Sequence, residues 1–167
     1  MQVQAGNAFS CGLRPSGLVE CWGNDRKGQA TPPDDVQFLQ IATSNVVDHA
    51  CGLTLGARDL KCWGDNRKGQ LGRPLLDSNT EGFGDAPDEL GERTPLLNLG
   101  PQRLIAQLGL STHACAVLTD GEVKCWGANG FGRLGYGDTV QRGDGANEMG
   151  DNLPTVDLGL NATALAV

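Results

Sequence analysis

The sequence has few of the features that mark membrane, nucleic-acid-binding and enzyme proteins. Aromatic residues make up 5% of the chain, and no apolar run approaches the roughly 18 residues of a membrane-spanning helix. The net charge is −7 at pH 7, and the lysines and arginines form no basic stripe, which argues against nucleic-acid binding. The G-x-S-x-G, P-loop and H-E-x-x-H motifs are absent, so we predict neither an enzyme activity nor a cofactor.

Metal-binding and targeting signals are also sparse. No C-x2-C pair occurs and the chain has 2 histidines, which makes zinc a weak interpretation of its cysteines. The sequence opens at Met1 with a strand-like segment instead of a signal peptide. This start suggests an artificial beginning, a processed product or a fragment of a longer protein.

All 6 cysteines and all 3 tryptophans lie in three copies of one segment. The copies span 11–23, 51–64 and 115–127, and each ends Cys-Trp-Gly. Each copy reads as a β-hairpin. When its two cysteines are placed opposite each other, the first and third copies leave a three-residue loop with glycine last, and the second leaves a two-residue loop that starts with Gly56. A change of one residue in the loop is therefore matched by a change of one in the cysteine spacing.

Opposed cysteines predict three disulfides within the hairpins, namely Cys11–Cys21, Cys51–Cys62 and Cys115–Cys125. Each would close a loop of about 11 residues and stabilise the fold by roughly 2–3 kcal/mol. Disulfides indicate an oxidising compartment, so we expect an extracellular, periplasmic or cell-surface location. Buried free thiols are the other interpretation.

Internal repetition organises the whole chain as a single repeat domain over 1–167. The approximate repeats are 1–33, 34–93 and 94–152, with the start of a fourth at 153–167. Residues 162–167 are expected to form the opening strand of that fourth repeat. Acidic, glycine-rich inserts interrupt the second and third repeats.

The repeats resemble those of the regulator of chromosome condensation family, which form β-propellers. The resemblance rests on H-A-C-[GA]-[LV], on the hairpin, on C-W-G-x-N-x-x-G-x-L-G, and on the Pro and Leu-Gly residues before the next strand. The first repeat departs from it, with Phe9 in place of histidine. The resemblance implies an all-β fold of three four-stranded antiparallel blades plus one strand, which is an incomplete propeller. The cysteine pairs and acidic charge are more similar to exported bacterial members than to the basic nuclear type.

The repeated histidines and tryptophans fit a structural role better than a chemical one. His49 and His113 occupy one repeat position, as expected for core histidines that hydrogen-bond to the backbone of each blade. Trp22, Trp63 and Trp126 follow a cysteine and point to the opposite sheet face from it. We expect them to pack between blades instead of binding sugars.

The acidic inserts are the least repetitive segments and are the expected interaction loops. The carboxylates expected to make contacts are Asp77, Asp85, Asp88, Glu89, Asp138, Asp144, Glu148 and Asp151. Calcium prefers 6–8 such oxygen ligands, but no EF-hand spacing is present. Solvated turns with weak calcium binding at most are the expectation.

The leading functional hypothesis is a non-enzymatic exported module that binds a protein partner, which the sequence does not identify, without nucleic-acid binding or membrane insertion. The alternative is a self-assembling structural subunit that completes rings or filaments head to tail, or a segment that packs on the remainder of a longer propeller. Propellers use roughly 4–8 blades, so three would leave two blade faces open. An enzyme-inhibitor or accessory domain is a further alternative.

Overall fold

A computed structural model describes residues 1–74, 96–97, 99–101, 104–159, 162–164 and 166, together with the backbone of 82–83. The described strands are β1 Gln2–Ala5, β2 Phe9–Leu13, β3 Val19–Gly23, β4 Phe38–Thr43, β5 His49–Thr54, β6 Leu60–Asp65, β7 Gly82–Phe83, β8 Ile105–Leu110, β9 His113–Leu118 and β10 Val123–Gly127. A short 3-10 helix follows at Gly150–Asn152. None of the described residues forms a helix that is long and apolar enough to cross a membrane.

The strands form three antiparallel sheets, and we call these sheets blades 1, 2 and 3. Blade 1 has the order β1-β2-β3, blade 2 the order β4-β5-β6-β7 and blade 3 the order β8-β9-β10. The predicted all-β class is confirmed. The resemblance also implied a full fourth strand in each blade, which the described residues do not form. In its place, blade 2 has the strand β7 of 2 residues, and blades 2 and 3 each have one isolated β-bridge.

The three hairpins have the registers that the cysteine spacing predicts. Each cysteine lies opposite its partner, and the structure contains all three predicted disulfides, each joining Cα atoms 4.1 Å apart. Gly17 and Gly121 close the three-residue loops at positive φ. The second loop differs from the prediction because the last hydrogen bond across the hairpin runs from the Thr54 N–H to the Asp59 carbonyl at 2.8 Å, and Arg58, which would face Leu55 across the predicted loop, takes a positive φ of 56°. The strand pairing therefore ends at Thr54, and the loop has four residues.

The blades stack face to face, with β1, β4 and β8 side by side in neighbouring blades. One buried cluster joins blades 1 and 2 through Phe9, Phe38 and Ile41. A second joins blades 2 and 3 through Leu53, Leu60 and other side chains. Successive residues of a strand point to opposite sheet faces, so a blade covered on both sides should be buried at every position. Strand β6 of the middle blade is buried at all 6 positions.

The end of the chain packs on blade 3, but its described residues form no strand. The Ala164 N–H donates to the Gly121 carbonyl at 3.0 Å, as the Phe38 N–H donates to Gly17 in blade 1. Ala164 therefore occupies the position where the next repeat begins. Residues 165 and 167 of the expected strand over 162–167 lie outside the described residues, so the strand stays a prediction.

Candidate functional site

The tryptophans of the Cys-Trp-Gly motif join blades 2 and 3 to the turn of the preceding repeat. The Trp63 indole Nε1–H donates to the Gln29 carbonyl at 3.1 Å, and the Trp126 Nε1–H donates to the Gln70 carbonyl at 3.0 Å. Both side chains are fully buried. The same hydrogen bond, repeated between two pairs of blades, fixes how one blade sits on the next.

Trp22 occupies the same motif position in blade 1 but lacks this environment. Its side chain is 53% exposed, so the prediction that all three tryptophans pack between blades is wrong for Trp22. No described blade precedes it to supply a turn. At the other end of the stack, Arg133 follows the same spacing as Gln29 and Gln70, and no following tryptophan is described there.

The turn after each Cys-Trp-Gly is closed by a side-chain cap. Asp25, Asn66 and Asn129 each accept, through Oδ1, the main-chain N–H of the residue five positions later, at 2.7, 3.0 and 3.0 Å. Gly64 needs its positive φ of 101°, and a Cβ on it would lie 2.3 Å from the Asp48 carbonyl oxygen. The cap and the glycine therefore hold the turn in the shape that receives the next tryptophan.

The two histidines differ from the expected core histidines in their hydrogen bonding. His49 is fully buried, and neither of its ring nitrogens has a hydrogen-bond partner among the described residues, so the predicted ring-to-backbone bond is wrong for His49. Burial lowers the pKa of His49 to about 4, against the smaller opposing effect of Asp65. Burial also lowers the pKa of the half-buried His113. Each ring is held neutral, which suits a packing role.

The second insert covers the outer edge of β10 instead of extending into solvent. The Tyr136 hydroxyl donates to the Cys125 carbonyl and accepts its N–H, both at 2.9 Å. Gly127 and Arg142 exchange main-chain hydrogen bonds of 2.7 and 3.4 Å. The Arg142 guanidinium lies 4.4 Å from the centre of the Tyr136 ring. The insert is thus an ordered part of the rim of blade 3, by which we mean its outer edge.

The carboxylates of this insert are engaged by the protein's own donors. Asp138 pairs with Arg142 at 2.8 Å, and the Arg142 hydrogen bond lowers the pKa of Asp138 to about 2. Glu148 accepts three consecutive main-chain N–H groups at 2.7–3.1 Å, and Asp144 accepts from Gln141. No group of three or more His, Cys, Asp or Glu side chains in the described part of the chain is placed to hold a metal ion.

The other acidic residues of the predicted interaction loops divide into two groups. Asp151 lies exposed in the 3-10 helix beside this rim. The four in the first insert lie outside the described residues; they are Asp77, Asp85, Asp88 and Glu89. Of the carboxylates in the predicted interaction loops, therefore, only those of the second insert lie among the described residues.

A buried lysine joins the insert to the blade, and no sequence pattern predicts its burial. Lys124 is 3% exposed, and its Nζ donates to the carbonyls of Leu99 and Gly150, both at 2.8 Å. An ammonium group is tolerated in such a site when hydrogen-bond acceptors replace its water. Lys61 is buried at the same position of blade 2, whereas blade 1 has Glu20 there.

The turn of blade 3 carries an exposed apolar and aromatic patch, formed by Phe131, Arg133 and Val140. Phe131 is 88% and Val140 59% exposed, and the Arg133 guanidinium lies 5.3 Å from the Phe131 ring centre. Asn129 joins the two segments by donating to the Val140 carbonyl at 2.9 Å. Lys68, at the position of Phe131 in blade 2, stays exposed although blade 3 packs beside it. Stacking of a further blade would therefore leave Phe131 accessible.

Three stacked hairpin blades, each joined to its neighbour by one indole, define a β-propeller repeat protein. The sequence profile of the regulator of chromosome condensation (RCC1) repeat matches residues 2–29 and 111–133. These two segments therefore carry the RCC1 repeat pattern. The hairpin of blade 2 lies between the matched segments and has the same cysteine register.

Solved propeller structures share this fold. Prp20p from Saccharomyces cerevisiae superposes with a TM-score of 0.64 at 20% identity, over 80% of this chain and 32% of Prp20p. Human WBSCR16 gives 0.66 at 17% identity, over 85% and 39%. The ectodomain of the receptor kinase CR4 from Physcomitrella patens gives 0.52 at 21%, over 77% and 29%. The chain spans about a third of each, and these identities establish the fold alone. No curated protein sequence matches the chain.

Proposed function

We propose that the chain is a non-enzymatic, exported propeller module that binds a protein partner. The observation that carries this proposal is the patch of Phe131, Arg133 and Val140 on an ordered rim. Aromatic and arginine side chains dominate the binding energy of protein interfaces. A surface already held in place by hydrogen bonds loses little conformational entropy when a partner binds.

Two further facts support the proposal. The structure of Prp20p is described with its binding to Gsp1p and histones, so one propeller of this fold acts by binding proteins. The three disulfides support an oxidising, extracytoplasmic location.

The test compares partner capture by variants of the patch. Phe131→Ser should weaken capture of cross-linked partners from the native extracellular fraction by about tenfold or more, because truncated interface anchors have effects of this size. Leu55→Ser changes an apolar side chain that is 56% exposed on the blade 2 loop and should leave capture unchanged. Equal capture by both variants would contradict the proposal.

The second candidate is a self-assembling structural subunit, and the exposed Trp22 favours it. Among the described residues, none gives the Trp22 Nε1–H the carbonyl that Gln29 and Gln70 give to the other tryptophans. A second copy could supply the carbonyl of Arg133 in a head-to-tail contact, which closes into a ring or grows into a filament. Concentration-dependent assembly that Trp22→Ala abolishes would support this candidate, and a monomer at high concentration would exclude it.

An inhibitor or accessory role would use the same patch and differs only in that the partner is an enzyme. A captured partner whose activity changes on binding would favour it. A partner without catalytic activity would favour the scaffold.

A further inference from the structure

The rim of blade 1 differs from the rims of blades 2 and 3. In blade 2, β7 pairs with Gly64 and Asp65. In blade 3, Arg142 and Tyr136 bond to the outer edge of β10. In blade 1 no insert follows β3, because the chain runs directly from the turn into the second repeat. No segment among the described residues therefore covers the outer edge of β3 in an equivalent way.

The register identifies which main-chain groups of β3 face outward. Cys21 lies opposite Cys11 as Cys125 lies opposite Cys115, and in blade 3 the outward groups belong to Cys125 and Gly127. Those of Cys21 and Gly23 must point the same way. Neither makes a main-chain hydrogen bond on that side to any residue that the structure describes.

Solvent reaches this edge, in contrast to the other two blades. Gly23 is exposed and Cys21 is half-buried, whereas the equivalent Gly127 and Cys125 are buried. An edge strand with accessible, unpaired N–H and C=O groups is a template for another strand. The edge faces the rim and not the neighbouring blade, so stacking of a preceding blade would not cover its hydrogen-bonding groups.

A groove runs along this edge and has an acidic character. It is lined by Val19, Glu20, Cys21, Trp22, Pro32 and Asp34. Glu20 and Asp34 are its charged residues, and the one ion pair that the structure gives to Glu20 is an exposed contact with Arg14. The ring of Trp22 is 53% exposed at the groove and can bind a cation on its face.

Blade 3 shows which segment fits such an edge. Arg142 pairs its main chain with Gly127, stacks its guanidinium on Tyr136 at 4.4 Å and binds the Asp138 carboxylate at 2.8 Å. The groove on blade 1 offers the same three elements, namely an open main-chain edge, an aromatic face and carboxylates. The missing element is an extended segment with a basic side chain.

We propose that the outer edge of β3 is a strand-addition site for an extended segment of a protein partner that carries arginine or lysine. Main-chain hydrogen bonds to Cys21 and Gly23 supply affinity, and Glu20, Asp34 and Trp22 select the basic side chain, as in other cases of strand addition to a sheet edge. This inference rests on the proposed function as a protein-binding module. It adds a second contact surface, whose ligand is an extended basic segment.

Amide hydrogen exchange measured by NMR tests the premise within one molecule. The amides of Cys125 and Gly127 are hydrogen-bonded on the rim and should exchange slowly. Those of Cys21 and Gly23 should exchange fast in the free protein. Equal protection of both pairs in the free protein would overturn the proposal.

Binding is tested with a synthetic peptide, acetyl-Thr-Val-Thr-Arg-Val-Arg-Thr-Val-Thr-amide. Its addition should protect the amides of Cys21 and Gly23. The same peptide with glutamate in place of both arginines should not bind, and methylation of its edge-facing main-chain nitrogens should abolish binding. Absence of binding by the arginine peptide at millimolar concentration, or binding without protection of these amides, would overturn the proposal.

Protein variants separate charge selection from general effects on folding. Glu20→Lys and Asp34→Lys should each weaken binding of the arginine peptide by about tenfold, because like charges would then face each other. Asp151→Lys makes the same charge change outside the groove and should leave binding unchanged. Equal effects of all three variants would overturn the proposal. Partner capture that depends on Phe131 without protection at Cys21 would refute this inference alone and leave the proposed function standing.

Discussion

The buried ring of His49 should make the stability of the fold depend on pH. His49 is fully buried without a hydrogen-bond partner in the described chain, and burial lowers its pKa from 6.5 to about 4. The unfolded chain therefore binds a proton that the folded chain excludes. Stability from this residue is fully present above pH 6.5 and falls as the pH drops from 6.5 to about 4.

The size of the effect follows from the difference between the two pKa values. Each pKa unit corresponds to about 1.4 kcal/mol, so the change from 6.5 to about 4 amounts to about 3 kcal/mol of unfolding free energy. The half-buried His113 acts in the same direction, since its pKa is also lowered. Below about pH 4 both states carry the proton on His49, and its contribution becomes constant.

The assay is urea unfolding followed by far-UV circular dichroism at a series of pH values, for the natural chain and for His49→Phe. Phenylalanine is a suitable replacement because Phe9 occupies the same position in blade 1 and is 3% exposed. The difference in unfolding free energy between the two proteins cancels other groups, such as Asp138. It should change by about 3 kcal/mol between pH 6.5 and 4. His49→Gln serves if phenylalanine does not fit, and a difference independent of pH would refute the reasoning.

Four further predictions concern the blades and the insert. Trp126→Ala should destabilise the fold by about 3–5 kcal/mol because it empties a buried site, whereas Trp22→Ala should change stability by less than about 1 kcal/mol; chemical denaturation measures both. Lys124→Met should loosen the second insert, which faster amide exchange at Arg142 would show. Calorimetric titration should find weak calcium binding at most, because the carboxylates of Asp138, Asp144 and Glu148 accept hydrogen bonds from the protein. DNA binding at physiological salt should be undetectable by fluorescence anisotropy, given the charge of −7.

Four experimental results would contradict these predictions. Equal destabilisation by Trp126→Ala and Trp22→Ala would show that the blades are not joined through the indoles. Unchanged amide exchange in Lys124→Met would remove the lysine from the anchoring of the insert. A sub-micromolar calcium site abolished by Asp144→Ala would require a different arrangement of the insert. A salt-dependent micromolar affinity for DNA would reopen a nucleic-acid function.

The hairpin register was predictable from sequence because two local signals agree. The distance between the cysteines and the position of glycine in the loop are independent, and both select the same pairing of Cys11 with Cys21 and of Cys115 with Cys125. The loop of blade 2 was not predictable in this way. The last hydrogen bond across that hairpin joins Thr54 to Asp59, and the positive φ of Arg58 has no glycine at its position to predict it.

The environment of repeated residues was not predictable, because it depends on the neighbouring blade. Trp22 and Trp63 have the same motif, yet one is 53% exposed and the other fully buried. Nor did the repeat pattern predict the cover on the β10 edge. Tyr136 and Arg142 lie in the least repetitive segment, so the pattern of the blades carries no information about them.

In blades 2 and 3, the tryptophan indole joins the blade to the turn of the preceding blade. A ¹⁵N-labelled sample gives three indole N–H signals, one for each of the 3 tryptophans in the chain, and their exchange with deuterated water can be followed by NMR. The indoles of Trp63 and Trp126 should exchange slowly, because both are buried and bonded to carbonyls, while that of Trp22 should exchange fast. Fast exchange of all three indoles would contradict the stacking of the blades.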